Sequence, residues 1–198
     1  MWWGTQTELA LANFQISGEM FPLSVVHEIA SIKQAAAEVN ADLGVLHLPH
    51  DVVRCIVDVA GEVADGRFDD QFPLDVFQTG SGTSTNMNVN EVIAALATER
   101  QRELGIFPIV TLHPNDHVNA SQSSNDVVPT AVHVAVATLV HDQLLLALER
   151  LAYSLRSRSK ASPRRAPRRS MSSGSNPTAP MESPVSRCMR GPRRRRRS

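Results

Sequence analysis

Asn125-Asp126-Val127-Val128-Pro129-Thr130-Ala131-Val132-His133-Val134-Ala135-Val136-Ala137-Thr138-Leu139-Val140 is the stretch whose reading decides the fold. From Val132 onward, Val136, Val140, Leu144, Ala147, Leu151 and Leu155 recur at the three- and four-residue step of one helix face. Ser124, Asn125 and Asp126 are good N-cap types, so the helix is expected to start there and run to about Leu155. A helix of that length with an unbroken apolar stripe, and no partner helix after it, is a bundle member without its bundle.

Upstream the pattern is also helical. Val25, Ile29, Ile32, Ala36, Val39 and Leu43 form one stripe, ended by Gly44. A second helix is expected from about Pro49–Asp51, with Val53, Ile56, Val57, Ala60 and Val63 inward and Gly66 closing it. A third runs from about Asn86 to Leu104, with Val89, Ile93, Ala94, Leu96 and Ala97 inward. Residues 1–21 show no clear period, residues 67–85 read as a looped connection, and residues 107–112 read as one short extended strand. The fold class is mainly α.

Two polar stretches carry the chemistry. In the first, Ser81-Gly82-Thr83 sets two hydroxyls around a glycine just before a helix. Glycine lets backbone approach a ligand, and hydroxyls and amides at a helix N-terminus donate to anions such as carboxylates. The plain alternative is a turn followed by a cap. Asn86, Asn88 and Asn90 tilt the reading, because three Asn in five residues make poor helix; something other than helix stability retains at least one. In the second stretch, Ser123, Ser124 and Asn125 repeat the pattern, and capping alone does not account for all three. His113 and His117 are four apart, but Pro114, Asn115 and Asp116 favour a turn over a helical metal site, and no third ligand is near. No metal and no cofactor is expected.

Gln78-Thr79-Gly80-Ser81-Gly82-Thr83 with Asn86-Met87-Asn88-Val89-Asn90-Glu91, and His113-Pro114-Asn115-Asp116 with Ser121-Gln122-Ser123-Ser124-Asn125-Asp126, resemble two regions of the fumarase/aspartase superfamily, class II fumarases most closely. Trp3-Gly4, Gln6-Thr7, Asp69-Asp70 and Phe72-Pro73 extend the resemblance over residues 3–156. It implies an N-terminal lyase domain over residues 1–119, the first long helix of a central helical bundle over 120–157, and a homotetramer. It implies a small dicarboxylate substrate, fumarate or malate, contacted by Ser81, Gly82, Thr83, Ser123, Ser124 and Asn125. His113, Pro114, Asn115 and Asp116 would form a second, non-catalytic carboxylate site, weakened by Val110 where some fumarases have Arg. Aspartases share part of the pattern, so an aspartate ammonia-lyase-type member is the nearest alternative, although Ser81 and Ser123-Ser124 lean to fumarase.

Two later family segments, a Gly-Ser-Ser loop ending in Lys-x-Asn-Pro and a Gly-Arg-Thr-His segment, are not found in this sequence, and Ser173-Gly174-Ser175-Asn176-Pro177 is a superficial echo. The expected activity is therefore reversible fumarate hydration by family, with this chain truncated and inactive alone. Residues 158–198 are rich in Arg, Pro and Ser and are expected to be disordered, as a frameshift product.

Charge supports that division. Residues 1–149 carry five Lys+Arg against nineteen Asp+Glu, net −14, whereas residues 150–198 carry fifteen against one, net +14. The basic tail raises a non-catalytic nucleic-acid-binding alternative, but it lacks aromatics for stacking, so no specific nucleic acid is expected as a partner. Cys55 and Cys188 suggest neither a disulfide framework nor a zinc site, and the N-terminus has no signal-peptide pattern. No apolar run approaches membrane length, so a cytoplasmic setting without membrane contact is expected.

Overall fold

The computed structural model describes residues 1–161. Six α-helices follow one another: α1 (Thr5–Asn13), α2 (Leu23–Asp42), α3 (His50–Ala64), α4 (Thr83–Glu103), α5 (Ser124–Leu139) and α6 (Leu145–Ala161). A 3₁₀ turn, Asp69–Gln71, precedes α4, and two single π-helical turns, Pro114–Val118 and Val140–Leu144, flank α5. By compactness the chain divides into Met1–Ser154 and Leu155–Ser198. Of the second unit only the end of α6 lies among the described residues.

α3 matches the expected helix closely. Val52, Ile56, Val59, Ala60 and Val63 are fully shielded, because its apolar residues fall on one face. That face packs on α2 and α4, where Val26, Ile29, Val89, Val92 and Ile93 complete the core. α2 is rotated from the expected stripe. Val39 and Leu43 are exposed, while Lys33 and Asn40 are buried. The helix packs on both α3 and α5, and its Lys33 and Asn40 are buried where they reach Asn119 and Ala120, ahead of α5.

Four further expectations are corrected. Residues 5–13 form α1, although their own pattern is weak. Its first-turn amides are satisfied from α4: Glu91 accepts from the backbone N–H of Gly4 (3.0 Å), Gln6 (2.9 Å) and Thr7 (3.1 Å) and from the Thr7 hydroxyl (2.6 Å). Residues 107–112 form no strand. The Gln101 side chain pins this segment by accepting from Val110 N–H (2.9 Å) and donating to Val110 O (3.0 Å). Residues 114–118 form a π-helical turn rather than an open turn, with Pro114 at its start, where no N–H is needed. The helix also continues past residue 157 to Ala161, since no breaker precedes Pro163. Of the tail expected to be disordered over residues 158–198, residues 158–161 are helical, and the rest, with Cys188, lies outside the described residues.

Along Ser124–Lys160, Val132, Val136, Leu144, Leu148 and Leu151 are exposed, and the buried residues of α5 are Val127, Val128, Ala131 and Ala135. By length and composition alone this helix is long and apolar enough to cross a membrane, a test that a core helix of a soluble protein also passes. Interspersed His133, Thr138, His141 and Asp142 dilute its hydropathy without abolishing it.

Candidate functional site

The loop before α4 owes its shape to Asp75 and Gly82. Asp75 accepts from the backbone N–H of Ser17 (2.8 Å), Gly18 (2.9 Å) and Phe77 (2.8 Å) and from the Ser17 hydroxyl (2.9 Å). Burial opposes its ionisation, but these donors win and hold the carboxyl well below the usual carboxylate range. Gly82 has φ of +68°, and a Cβ there would lie 2.9 Å from Val128 Cγ1. Only glycine fits both the conformation and the close approach of α5.

The amides at the start of α4 are capped by residues other than the expected donors. Gln78 Oε1 accepts from Thr85 N–H (2.8 Å) and Thr79 Oγ1 from Ser84 N–H (3.1 Å). Ser81 Oγ and Thr83 Oγ1 instead pair with each other at 2.7 Å. One such bond uses one of two hydroxyl protons, so the pair keeps a proton to donate outward.

Asn86 ties the two polar stretches together. Its Nδ2 donates to Ser124 Oγ (2.9 Å) and Asn119 Oδ1 (3.3 Å). Ser123 Oγ caps α5 by accepting from Asn125 N–H at 3.3 Å. The groove between the stretches, about 480 Å³, is lined by residues 76–82 with Phe21, and by Asn125, Val128, Pro129 and Val132. The structure thus brings Ser81, Gly82 and Asn125 to one groove with Thr83 bonded beside them, turns Ser124 toward Asn86, and commits Ser123 to the cap. The groove lining holds no His, Lys, Arg, Asp or Glu.

The residues of the expected second site lie elsewhere. Pro114 lines a different cavity, of about 500 Å³, with Trp2, Trp3, Glu91 and Leu112. His113 and Asp116 face each other: His113 Nδ1 accepts from Asp116 N–H at 3.3 Å and lies 3.1 Å from Asp116 Oδ2. Nδ1 serves the first contact when it bears no proton and the second when it bears one. Asn115 is exposed, and His117 Nδ1 accepts from His113 N–H at 2.8 Å, which spends a ring nitrogen. Among the described residues no three His, Cys, Asp or Glu side chains cluster.

Sequence reasoning passed over Lys33, Asn119, Gln78 and Thr79. Lys33 is fully buried on α2, its ammonium donates to Asn119 Oδ1 at 2.6 Å, and burial lowers its pKa to about 7. A wheel drawn through Val26, Ile29, Lys33, Ala37 and Asn40 would have found it.

A helical chain with hydroxyl- and amide-rich loops at two helix starts, brought to one groove, belongs to a definable class. A lyase family model matches residues 1–164, and the chain belongs to that family. It is 54% identical over 156 residues to a class II fumarate hydratase of Pseudomonas aeruginosa, covering 78% of this chain and 32% of the relative. Over 158 residues it is 48% identical to the class II fumarate hydratase of Xylella fastidiosa, with 80% and 32% coverage. Among solved structures, the class II fumarase of Schistosoma mansoni superposes with a TM-score of 0.72 at 39% identity, over 81% of this chain and 33% of that one. A fumarate lyase:delta crystallin structure from Brucella melitensis gives 0.71 at 39% identity, over 81% and 37%. The chain thus spans about a third of the length of the relatives it matches.

Proposed function

We propose that this chain carries the hydrogen-bond-donor part of a dicarboxylate site of fumarate hydratase type, acting in reversible hydration of fumarate to malate in the citric acid cycle. The observation that carries the reading is the Asn86 bridge, which joins the Ser81–Thr83 loop to the Ser124–Asn125 helix start across 38 residues. The names of the relatives supply the substrate class. Ser81, Gly82, Thr83, Ser123, Ser124 and Asn125 would hold the carboxylates through neutral donors and helix-start amides. His113, Pro114, Asn115 and Asp116 would form a separate carboxylate site.

Proton abstraction next to a carboxylate needs a positioned base. A groove without titratable side chains supplies stabilisation of the developing charge and no base. The base would come from segments outside residues 1–161 or from another subunit of a cytoplasmic homotetramer. Residues 1–119 would be the N-terminal domain and 120–157 the first helix of the bundle, which agrees with the bare apolar faces of α5 and α6. The test is a fumarate hydration assay on the purified chain. No malate is expected above background. Saturable turnover by the chain alone would require a base within it and overturn the division of labour. A parallel assay with L-aspartate tests the aspartase-type alternative, which the relatives' names do not favour.

A further inference from the structure

Lys33 is the one lysine in the first hundred and fifty residues, and it is wholly shielded from solvent. A buried ammonium is costly unless something needs it. No carboxylate lies within ion-pair distance of it among the described residues, and burial is the cause of its lowered pKa. Its hydrogen bond goes to a neutral amide oxygen, Asn119 Oδ1.

Asn119 stands at the end of the π-helical turn, where the chain bends toward α5. Its Oδ1 also accepts from Asn86, its Nδ2 donates to Gln122 O (3.4 Å), and its O accepts from Gln122 N–H (3.1 Å). Within this bend Ser121 has φ of +58°, a conformation that costs a non-glycine residue free energy and persists only where neighbours fix it. α2 contributes a second tie, from Asn40 Nδ2 to Ala120 O at 2.9 Å. The bend delivers Asn125 to the groove and Ser124 to Asn86.

We infer that Lys33 is a positioning residue: by holding Asn119 Oδ1 from behind, it fixes the bend at residues 119–122 and thereby the placement of Ser124 and Asn125 against the Ser81–Thr83 loop. The inference deepens the proposed function and rests on it for its consequence, but its structural content stands on the hydrogen bonds alone. Lys33 touches none of the groove-lining residues through a hydrogen bond; it acts through Asn119 and Asn86.

The test compares wild type, Lys33→Met and Asn119→Ala in the full chain by hydrogen–deuterium exchange, with urea unfolding alongside. Lys33→Met replaces a buried cation by an apolar chain of similar length, so global stability is expected to hold or rise. Exchange at residues 119–126 is nevertheless expected to quicken by about tenfold, while α3 keeps its protection. A purely structural lysine would give the opposite: a lower unfolding midpoint and faster exchange throughout. That result, or unchanged exchange at 119–126, overturns the inference. If Lys33→Met does not fold, Asn119→Ala decides by the same local pattern, since it removes the acceptor and leaves the helix intact. The exchange readout needs no ligand. A wild-type chain that fails to bind fumarate therefore counts against the functional reading, while exchange still decides the role of Lys33.

Discussion

α4 and the α5–α6 stretch are both rich in Val, Leu, Ile and Ala, yet their fates differ. On α4, Val89, Val92, Ile93 and Ala97 are sealed by α1, α3 and α5. From Val136 to Leu151 the apolar side chains are about half exposed, with Leu144 at 49% and Leu151 at 54%. The difference lies in partners rather than in composition. α4 finds its neighbours within the described residues, and the later stretch presents a face shaped for neighbours that it does not find there. Apolar surface of that extent promotes association.

The largest expected effect breaks this contrast at the exposed end. Sedimentation of the wild-type chain should show self-association, and the double change Leu144→Glu with Leu151→Glu should shift it strongly toward monomer. Each such side chain contributes roughly 1.5–3 kcal/mol when buried. A wild-type monomer at both low and high salt would mean that the stripe is covered in some other way. Next in size, Ile93→Ala should lower the unfolding free energy by about 2–5 kcal/mol, as for a sealed core position. Leu151→Ala, measured in dilute solution, should change it by less than about 0.5 kcal/mol. Equal costs at the two positions would erase the distinction between the regions.

A smaller effect is expected at the junction. Gly82→Ala forces a side chain into positive φ and against Val128, and should cost about 1–3 kcal/mol. Core exchange protection should survive, whereas amide shifts at residues 79–84 and 124–129 move together. Movement confined to one stretch would show that Gly82 does not couple them. Smallest per pH unit is the effect at Lys33. Its folded pKa of about 7 lies below the unfolded value of 10.5, so the folded chain holds fewer protons than the unfolded one between these pH values. Stability from this group therefore rises with pH above 7, by at most about 1.4 kcal/mol per pH unit. The rise should be absent from the difference between wild type and Lys33→Met if the folded lysine stays charged up to its unfolded value of 10.5.

Much of the helical layout was legible because α3 and α4 obey their own period. α2 was misread by one residue of rotation, because Lys33 and Asn40 are buried for partners 86 and 80 residues away. α1 was missed because its cap, Glu91, comes from another helix. The supposed strand at residues 107–112 failed for the same kind of reason: Gln101 supplies the hydrogen bonds that a neighbouring strand would have supplied. At the site, the hydroxyl-rich loops stood out in sequence as residue types too numerous for capping alone. Which neighbour caps and which lines the groove was not legible in the pattern. Gln78 and Thr79 do the capping that the pattern suggested for their neighbours, and Ser124 turns toward Asn86 rather than into the groove. Periodicity reports which face is apolar, and it does not report which polar group a distant residue will reach.

The central claim is that two separate stretches of this chain form one carboxylate-binding groove that contains donors and no base. Titration of the isotope-labelled chain with fumarate, followed by amide NMR, tests it most directly. Saturable shifts at both residues 80–84 and 123–126, with fumarate recovered unconverted, are the expected result. Shifts at neither stretch, shifts at one alone, or conversion to malate during the titration would contradict the account.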